Sequence, residues 1–185
     1  NLMLTDYARI LERFDPISLD EMSSIRLMNR IDSKYLANED QLSQLLEMAQ
    51  EDYMIQSIDG IRQSEYRTTY LDDKDNIMYL NHHNGRLTRQ KVRIRTYVDT
   101  NDYFFEVKLK NNHGRTKKKR IHLTDAGSYI QDGAADFLAE HTMLPLTLSD
   151  LTPKLSNHFK RITLVNKGKT ERLTIDRELS FHNEE

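Results

Sequence analysis

Residues 86–99 read RLTRQKVRIRTYVD, residues 103–110 read YFFEVKLK, and residues 116–123 read TKKKRIHL. In the first run Arg89, Lys91, Arg93 and Arg95 stand two apart. Side chains two apart on an extended strand point to the same face, so this spacing gathers the cations on one side. Val92, Ile94 and Tyr97 are read as the mostly apolar remainder. The second run repeats the pattern, with Glu106, Lys108 and Lys110 on one face and Phe105, Val107 and Leu109 on the other. Asn101-Asp102 between them reads as a hairpin turn. In the third run Lys118, Arg120 and His122 oppose Lys119, Ile121 and Leu123, after the turn residues Asn112, His113 and Gly114. The expectation is three consecutive antiparallel strands that share one charged face.

The wet side of an antiparallel sheet produces alternation by itself. A solvated face, however, ordinarily mixes signs. Residues 86–120 hold 12 Lys/Arg against 3 Asp/Glu, while the other 150 residues hold 15 against 26. Like charges on adjacent strands repel. Such a local surplus points to an anionic, multiply charged partner over a plain solvated face.

The net charge of the whole chain is only −2, so the basic region is a local feature, and general adhesion to nucleic acid is not expected. Mean hydropathy is −0.74 and 37% of the residues are hydrophobic, as suits a fold with a charged interior surface. The chain has no cysteine, which excludes disulfides, thiolate catalysis and Cys-based zinc sites. No apolar run approaches the roughly 18 residues that span a bilayer, and no signal peptide is visible. The expectation is a cytoplasmic protein without a transmembrane segment. A single domain is expected over residues 1–185, with a helical segment at 1–24 and strands and covering helices over 25–185. The chain is expected to be a C-terminally truncated piece of a longer protein.

Along the chain, residues 5–14 are expected to form a helix capped by Thr5 and ended by Asp15-Pro16. Ser18 and Glu21 have capping-box spacing and open a second short helix. Arg26, Met28, Arg30, Asp32 and Lys34 share strand parity. Asn38 and Gln41 open a helix whose Leu42, Leu45, Leu46 and Ala49 form a core stripe. Asp59-Gly60 predicts a hairpin between residues 53–58 and 61–71, and residues 74–83 a short helix closed by Asn84-Gly85. Thr124 is expected to cap a helix running towards His141, with Tyr129, Ile130, Phe137 and Leu138 buried. Pro145 and Pro153 bracket a loop, and residues 158–165 and 171–176 form a last hairpin. An apolar outer face cannot stay in water. The predicted class is therefore α+β, an antiparallel barrel or tunnel with charges inside and helices packed outside.

The glycines are scattered and form no GxxxxGK[ST] or GxGxxG, so phosphate must be held by side chains. Arginine forks suit that task, because each makes two charge-assisted hydrogen bonds to phosphate oxygens. His82-His83 is not expected to bind metal, since adjacent residues rarely converge on one ion.

Six segments, in order, resemble the vacuolar transporter chaperone (VTC) domain of polyphosphate polymerases, a branch of the triphosphate tunnel metalloenzymes in the CYTH-like superfamily. They are RIDSKYLA (30–37), YRTTYLDD (66–73), GRLTRQKVRIRTY (85–97), FFEVKLK with TKKKR (104–110 and 116–120), PKLSNHFKRITL (153–164) and ERLTID (171–176). The resemblance implies a tunnel that grips a triphosphate chain. It assigns catalytic roles to Lys34, Arg93, Arg95 and Lys108, and marks Arg161 and Arg172 as phosphate ligands. Arg30, Lys91, Lys118 and Arg120 join them as candidate ligands on the charged faces; which lysine of 117–119 faces inward is left open. A divalent cation, Mn2+ or Mg2+, is implied as cofactor. The family's metal-binding glutamate and a further lysine lie on segments that this chain is expected to lack. Glu106, the one acid on the cationic face, is either a metal ligand or a counter-charge for Lys108 and Arg95.

The implied activity is transfer of the γ-phosphoryl group of ATP to a polyphosphate chain. The alternatives are a tunnel-type triphosphatase and a non-catalytic module binding polyphosphate or inositol polyphosphate. RNA is disfavoured as a partner, because the basic strands are expected to lack an exposed aromatic platform.

Overall fold

Helix starts follow the local capping chemistry. The computed structural model describes residues 2–25 and 38–184. The Ser18 side chain accepts from Glu21 N at 3.1 Å and opens helix α2, Leu19–Ser23, which follows helix α1, Leu2–Glu12. Asn38 and Gln41 complete a reciprocal capping box at 2.8 and 3.1 Å, and helix α3, Glu39–Ala49, runs from it. Such caps satisfy amide groups that have no partner within the helix.

The described residues fall into two compact units, drawn from Asn1–Ser64 with Lys160–Arg177 and from Glu65–Phe159 with Glu178–Glu185. In the first, strand β1 (Asp15–Ile17) lies parallel to β2 (Tyr53–Gln56). Strand β2 in turn pairs antiparallel with the later residues of β7, Thr152–Asn166, through Tyr53↔Asn166 and Ile55↔Leu164. Tyr7, Ile10, Leu11 and Phe14 pack against Leu42, Leu46 and Ala49 of α3 and against Ile55, Ile162 and Leu164. Burial of each large side chain contributes about 1.5–3 kcal/mol. The Arg62 guanidinium donates to the carbonyls of Leu11 and Phe14 at 2.6 and 2.8 Å, satisfying acceptors where α1 ends.

The second unit is built on the strand order β7-β3-β4-β5-β6, antiparallel from β3 to β6, with β3 Ser64–Asp72, β4 Arg89–Tyr97, β5 Asp102–Lys110 and β6 Thr116–Leu123. Strand β8, Arg172–Asn183, pairs with β7. The even residues of β4 and the odd residues of β5 meet at Ile94↔Phe105 and Val92↔Val107. These side chains are buried under Met78 of helix α4 (Ile77–His83) and Ala134 and Leu138 of helix α5 (Ala134–His141). Buried Gln90 fastens the segment after α5, donating to Thr142 Oγ1 at 3.0 Å and accepting from Met143 N at 2.7 Å. The carboxylate of Asp72 caps α4, accepting from Met78 N at 3.1 Å and Tyr79 N at 2.9 Å.

The chain is thus α+β, with antiparallel strands and helices on their apolar side, consistent with a tunnel-type fold. Three local expectations are corrected. Asp59 and Gly60 do turn, at φ 51° and 81°, but the turn carries a single bridge, Ile58↔Ile61, and β2 takes β1 and β7 as its partners. Thr124 does not start a helix. Its amide and hydroxyl bind the Asp132 carboxylate, Asp125 and Ser128 hold the next residues in turns, and α5 begins only after Gly133 at φ 95°. Short polar side chains compete here with helical hydrogen bonding. Ile130 is accordingly 65% exposed. Pro153 lies inside β7, and the last hairpin is longer than expected. Among the described residues, no helix is long and apolar enough to cross a membrane.

Candidate polyanion site

Register converts the sequence alternation into rows of side chains across the strands. One row is Thr68, Arg95, Phe104 and His122; the next is Tyr70, Arg93, Glu106 and Arg120. Beyond it stand Lys91, Lys108 and Lys118, then Arg89, Lys110 and Thr116. Successive rows are about 6.7 Å apart, two residues of strand rise. The structure therefore brings Arg93, Arg95, Lys91, Lys108, Lys118, Arg120 and Glu106 onto one face. It also resolves the lysine run: Lys118 stands opposite Lys108, whereas Lys117 and Lys119 stand opposite Leu109 and Val107 on the other parity.

Glu106 is fully buried and sits between cations. Its Oε1 accepts from Arg93 Nε at 2.7 Å, and Lys118 Nζ lies 3.5 Å from Oε2. Burial pushes its carboxyl pKa upwards, but Arg93, Lys118 and Arg95 together outweigh that effect and hold it below the ordinary carboxylate range. Lys118 is pulled below the ordinary lysine range by burial first. Glu106 opposes the shift, and the Arg93 and Arg95 charges reinforce it.

The arginines are braced individually. Arg95 Nε donates to Thr68 Oγ1 at 3.3 Å, and its guanidinium carbon lies 5.6 and 5.8 Å from the ring centroids of Tyr66 and Phe159. Those rings stack on each other at 5.3 Å. The Arg120 guanidinium sits 4.0 Å over the Phe104 ring, with Nη1 3.4 Å from the Tyr97 hydroxyl. A guanidinium stacked on an aromatic face gains cation–π attraction and a fixed plane.

Apart from Phe104, which shares strand parity with Glu106 and Lys108, these rings were not anticipated. Tyr97 belongs to the charged face, opposite Tyr66 and Asp102, and not to the apolar side. Its spacing of two from Arg95 could have shown this. Tyr66, Thr68 and Tyr70 carry the same two-residue signal on β3. The face thus holds Tyr66, Tyr70, Tyr97, Phe104 and Phe159, with Tyr66 and Phe159 buried and engaged with Arg95.

Arg161 and Arg172 belong to the first unit. Arg161 forms a two-point ion pair with Asp176 at 2.7 and 3.0 Å, and Arg172 is the half-buried first residue of β8. Arg30 and Lys34 lie outside the described residues. His82 and His83 diverge: His82 Nδ1 is 3.0 Å from an Arg89 nitrogen, and His83 stacks on Tyr79. A cleft of about 520 Å³ in the second unit is lined by Arg67, Thr69, Ser156 and His158. Arg67 and Thr69 have the parity opposite to Thr68, so that cleft is not the charged face.

Braced cations thus stand in rows on antiparallel strands of an α+β fold that is consistent with a tunnel type. The VTC domain family model matches residues 29–185, and the chain belongs to that family. Comparison with curated proteins gives no match. The VTC domain is that of the polyphosphate polymerase family, whose members are generally metal-dependent. Among the described residues no group of three His, Asp or Glu is placed to hold a metal ion. Glu106 does not fit the task either, since a divalent ion approaching it would meet Arg93, Lys118 and Arg95.

Proposed function

We propose that this chain binds polyphosphate along its charged face and extends it by transfer of the γ-phosphoryl group of ATP. The carrying observation is the set of aligned cationic rows, with Arg93 and Arg95 fixed by Glu106, Thr68, Tyr66 and Phe159. Negative charge in phosphoryl transfer is spread over several oxygens, so positioning by prearranged cations supplies much of the acceleration. In this reading Arg93 and Arg95 fork onto phosphate oxygens and hold the reacting group in line. Glu106 keeps Arg93 and Lys118 in place without touching substrate.

Tripolyphosphate is expected to bind at least about tenfold more tightly than orthophosphate, the equivalent of one more charge-assisted hydrogen bond. Added salt should weaken both. Calorimetry at two ionic strengths measures this, and equal affinities would remove the chain-gripping reading. Incubation with ATP and polyphosphate, read on a gel, tests the transfer. Phosphate release without lengthening would mark a triphosphatase, and tight binding without turnover a binding module.

The site should also respond to pH. Lys118 faces Glu106, Arg93, Arg95 and Lys108, with Lys91 in the same row. Its lowered pKa means that it loses its charge at a lower pH than an ordinary lysine. A bound anion favours the charged form, so binding takes up a proton. Affinity for tripolyphosphate should therefore fall as pH rises through the lowered Lys118 pKa. Lys118→Arg, which does not titrate there, should flatten the decline; an unaltered profile would assign it to another group.

A further inference from the structure

The turn end of the β5–β6 hairpin carries more positive charge than the rows of the charged face take up. Residues 76–91 and 107–119, which run through that end of the second unit, hold 9 Lys/Arg and no Asp/Glu. Four of them, Arg86, Arg115, Lys117 and Lys119, stand in none of the rows. Lys117 and Lys119 take the other parity of β6, opposite Leu109 and Val107. The helix cover stops short of them. Ile121 still packs against the apolar cluster that holds Leu138 of α5, whereas residues 112–120 are all exposed. Asn111 fixes the turn: its side-chain oxygen accepts from His113 N and Arg115 N, both at 3.0 Å, and Gly114 takes φ 74°. Two residues before Arg89, whose strand partner is Lys110, Leu87 is 70% exposed at this same end.

Cations on both faces of a hairpin cannot all be met by one chain lying on a single face. A flat anionic surface approached end-on meets both, because lysine and arginine stems are long enough to reach it from either side. Clusters of about four to eight Lys/Arg suit anionic lipid headgroups, and an apolar side chain among them adds contact with the acyl boundary. The rings Tyr97 and Phe104, which could stack on bases, lie near the opposite end of the strands. We propose that the hairpin end, with Arg86 and Leu87 beside it, is a docking surface for membranes rich in anionic lipid. Contact is peripheral, with the cations among the headgroups and Leu87 at the edge of the acyl chains. Arg86, Arg115, Lys117 and Lys119 lie outside the rows, so docking is independent of what the rows bind.

Flotation with vesicles of phosphatidylcholine alone, and of phosphatidylcholine and phosphatidylserine three to one, tests the surface. Wild type should float with the mixed vesicles only, and added salt should release it. Lys117→Gln/Lys119→Gln should bind the mixed vesicles roughly 25-fold more weakly, about fivefold for each cation lost at the surface. Leu87→Ser should weaken the same binding by roughly fivefold, through lost apolar contact. Arg95→Ala, on the charged face, should float like wild type. Failure of wild type to float, flotation indifferent to phosphatidylserine, or full binding by the double lysine variant would overturn the docking surface. An equal loss in Arg95→Ala would overturn it too, by moving lipid binding to the charged face. Capture of duplex RNA or polyglutamate in preference to the mixed vesicles, unaffected by Leu87→Ser, would assign this end to a nucleic acid or an acidic protein instead. Melting temperatures of the variants separate lost docking from unfolding.

Discussion

Replacing Glu106 by glutamine should destabilise the unliganded protein by about 3–5 kcal/mol, the cost of leaving the buried Arg93 charge without its partner. Arg93 and Lys118 both lean on this carboxylate, and no part of it is exposed to water. The loss should be largest near neutral pH. The folded carboxyl has a lowered pKa, so its contribution is fully present above the ordinary carboxylate range and disappears as pH falls through the lowered value. Wild type and Glu106→Gln should therefore converge in acid. Tripolyphosphate supplies the missing negative charge, and it should raise the melting temperature of the variant more than that of wild type. Calorimetric melts with and without ligand, at two pH values, measure all three effects. A variant as stable as wild type at neutral pH would show that Glu106 is not the counter-charge.

Arg95→Ala should weaken tripolyphosphate binding by about 1.5–3 kcal/mol, the scale of hydrogen bonds to a charged group. Arg95 is held by Thr68 and by two rings, and its removal leaves Glu106 its 2.7 Å contact with Arg93. Its effect on affinity is therefore easier to read than that of Arg93→Ala, which would also strip Glu106 of its shortest contact. Arg95→Lys should recover little, since the ammonium keeps the charge but lacks the planar fork. Full affinity in Arg95→Lys would show that charge alone decides binding.

Much of this site is legible in the sequence, because strand parity is a rigid rule. Once Arg93, Arg95, Glu106, Lys108, Lys118 and Arg120 are placed on strands, period-two geometry puts them on one face, and the pairing register does the rest. The rings were missed for a different reason. Tyr97 is apolar by composition but shares parity with Arg95, and sorting residues by hydrophobicity instead of position misplaced it. Tyr66 and Phe159 reach Arg95 from strands β3 and β7, far apart in sequence, and no local pattern announces that meeting. Helix boundaries followed side-chain chemistry where caps were strong, at Ser18 and Asn38. They failed after Thr124, where Asp125, Ser128 and Asp132 bind nearby amides and hydroxyls and outcompete helical pairing.

The row of Lys91, Lys108 and Lys118 sets three like charges side by side on neighbouring strands. Glu106 offsets the charge of Lys118, but the mutual repulsion along the row works against the fold without ligand. A screen that rewarded only heat resistance would accordingly be drawn to Lys91 and Lys108, replacing lysine by neutral residues and gaining robustness. The survivors would be hardened proteins with a blunted hold on polyanions. Resilience and purpose pull in opposite directions at this row, and a scaffold meant to keep its ligand should be reinforced elsewhere, in the helix-covered core behind β4 and β5.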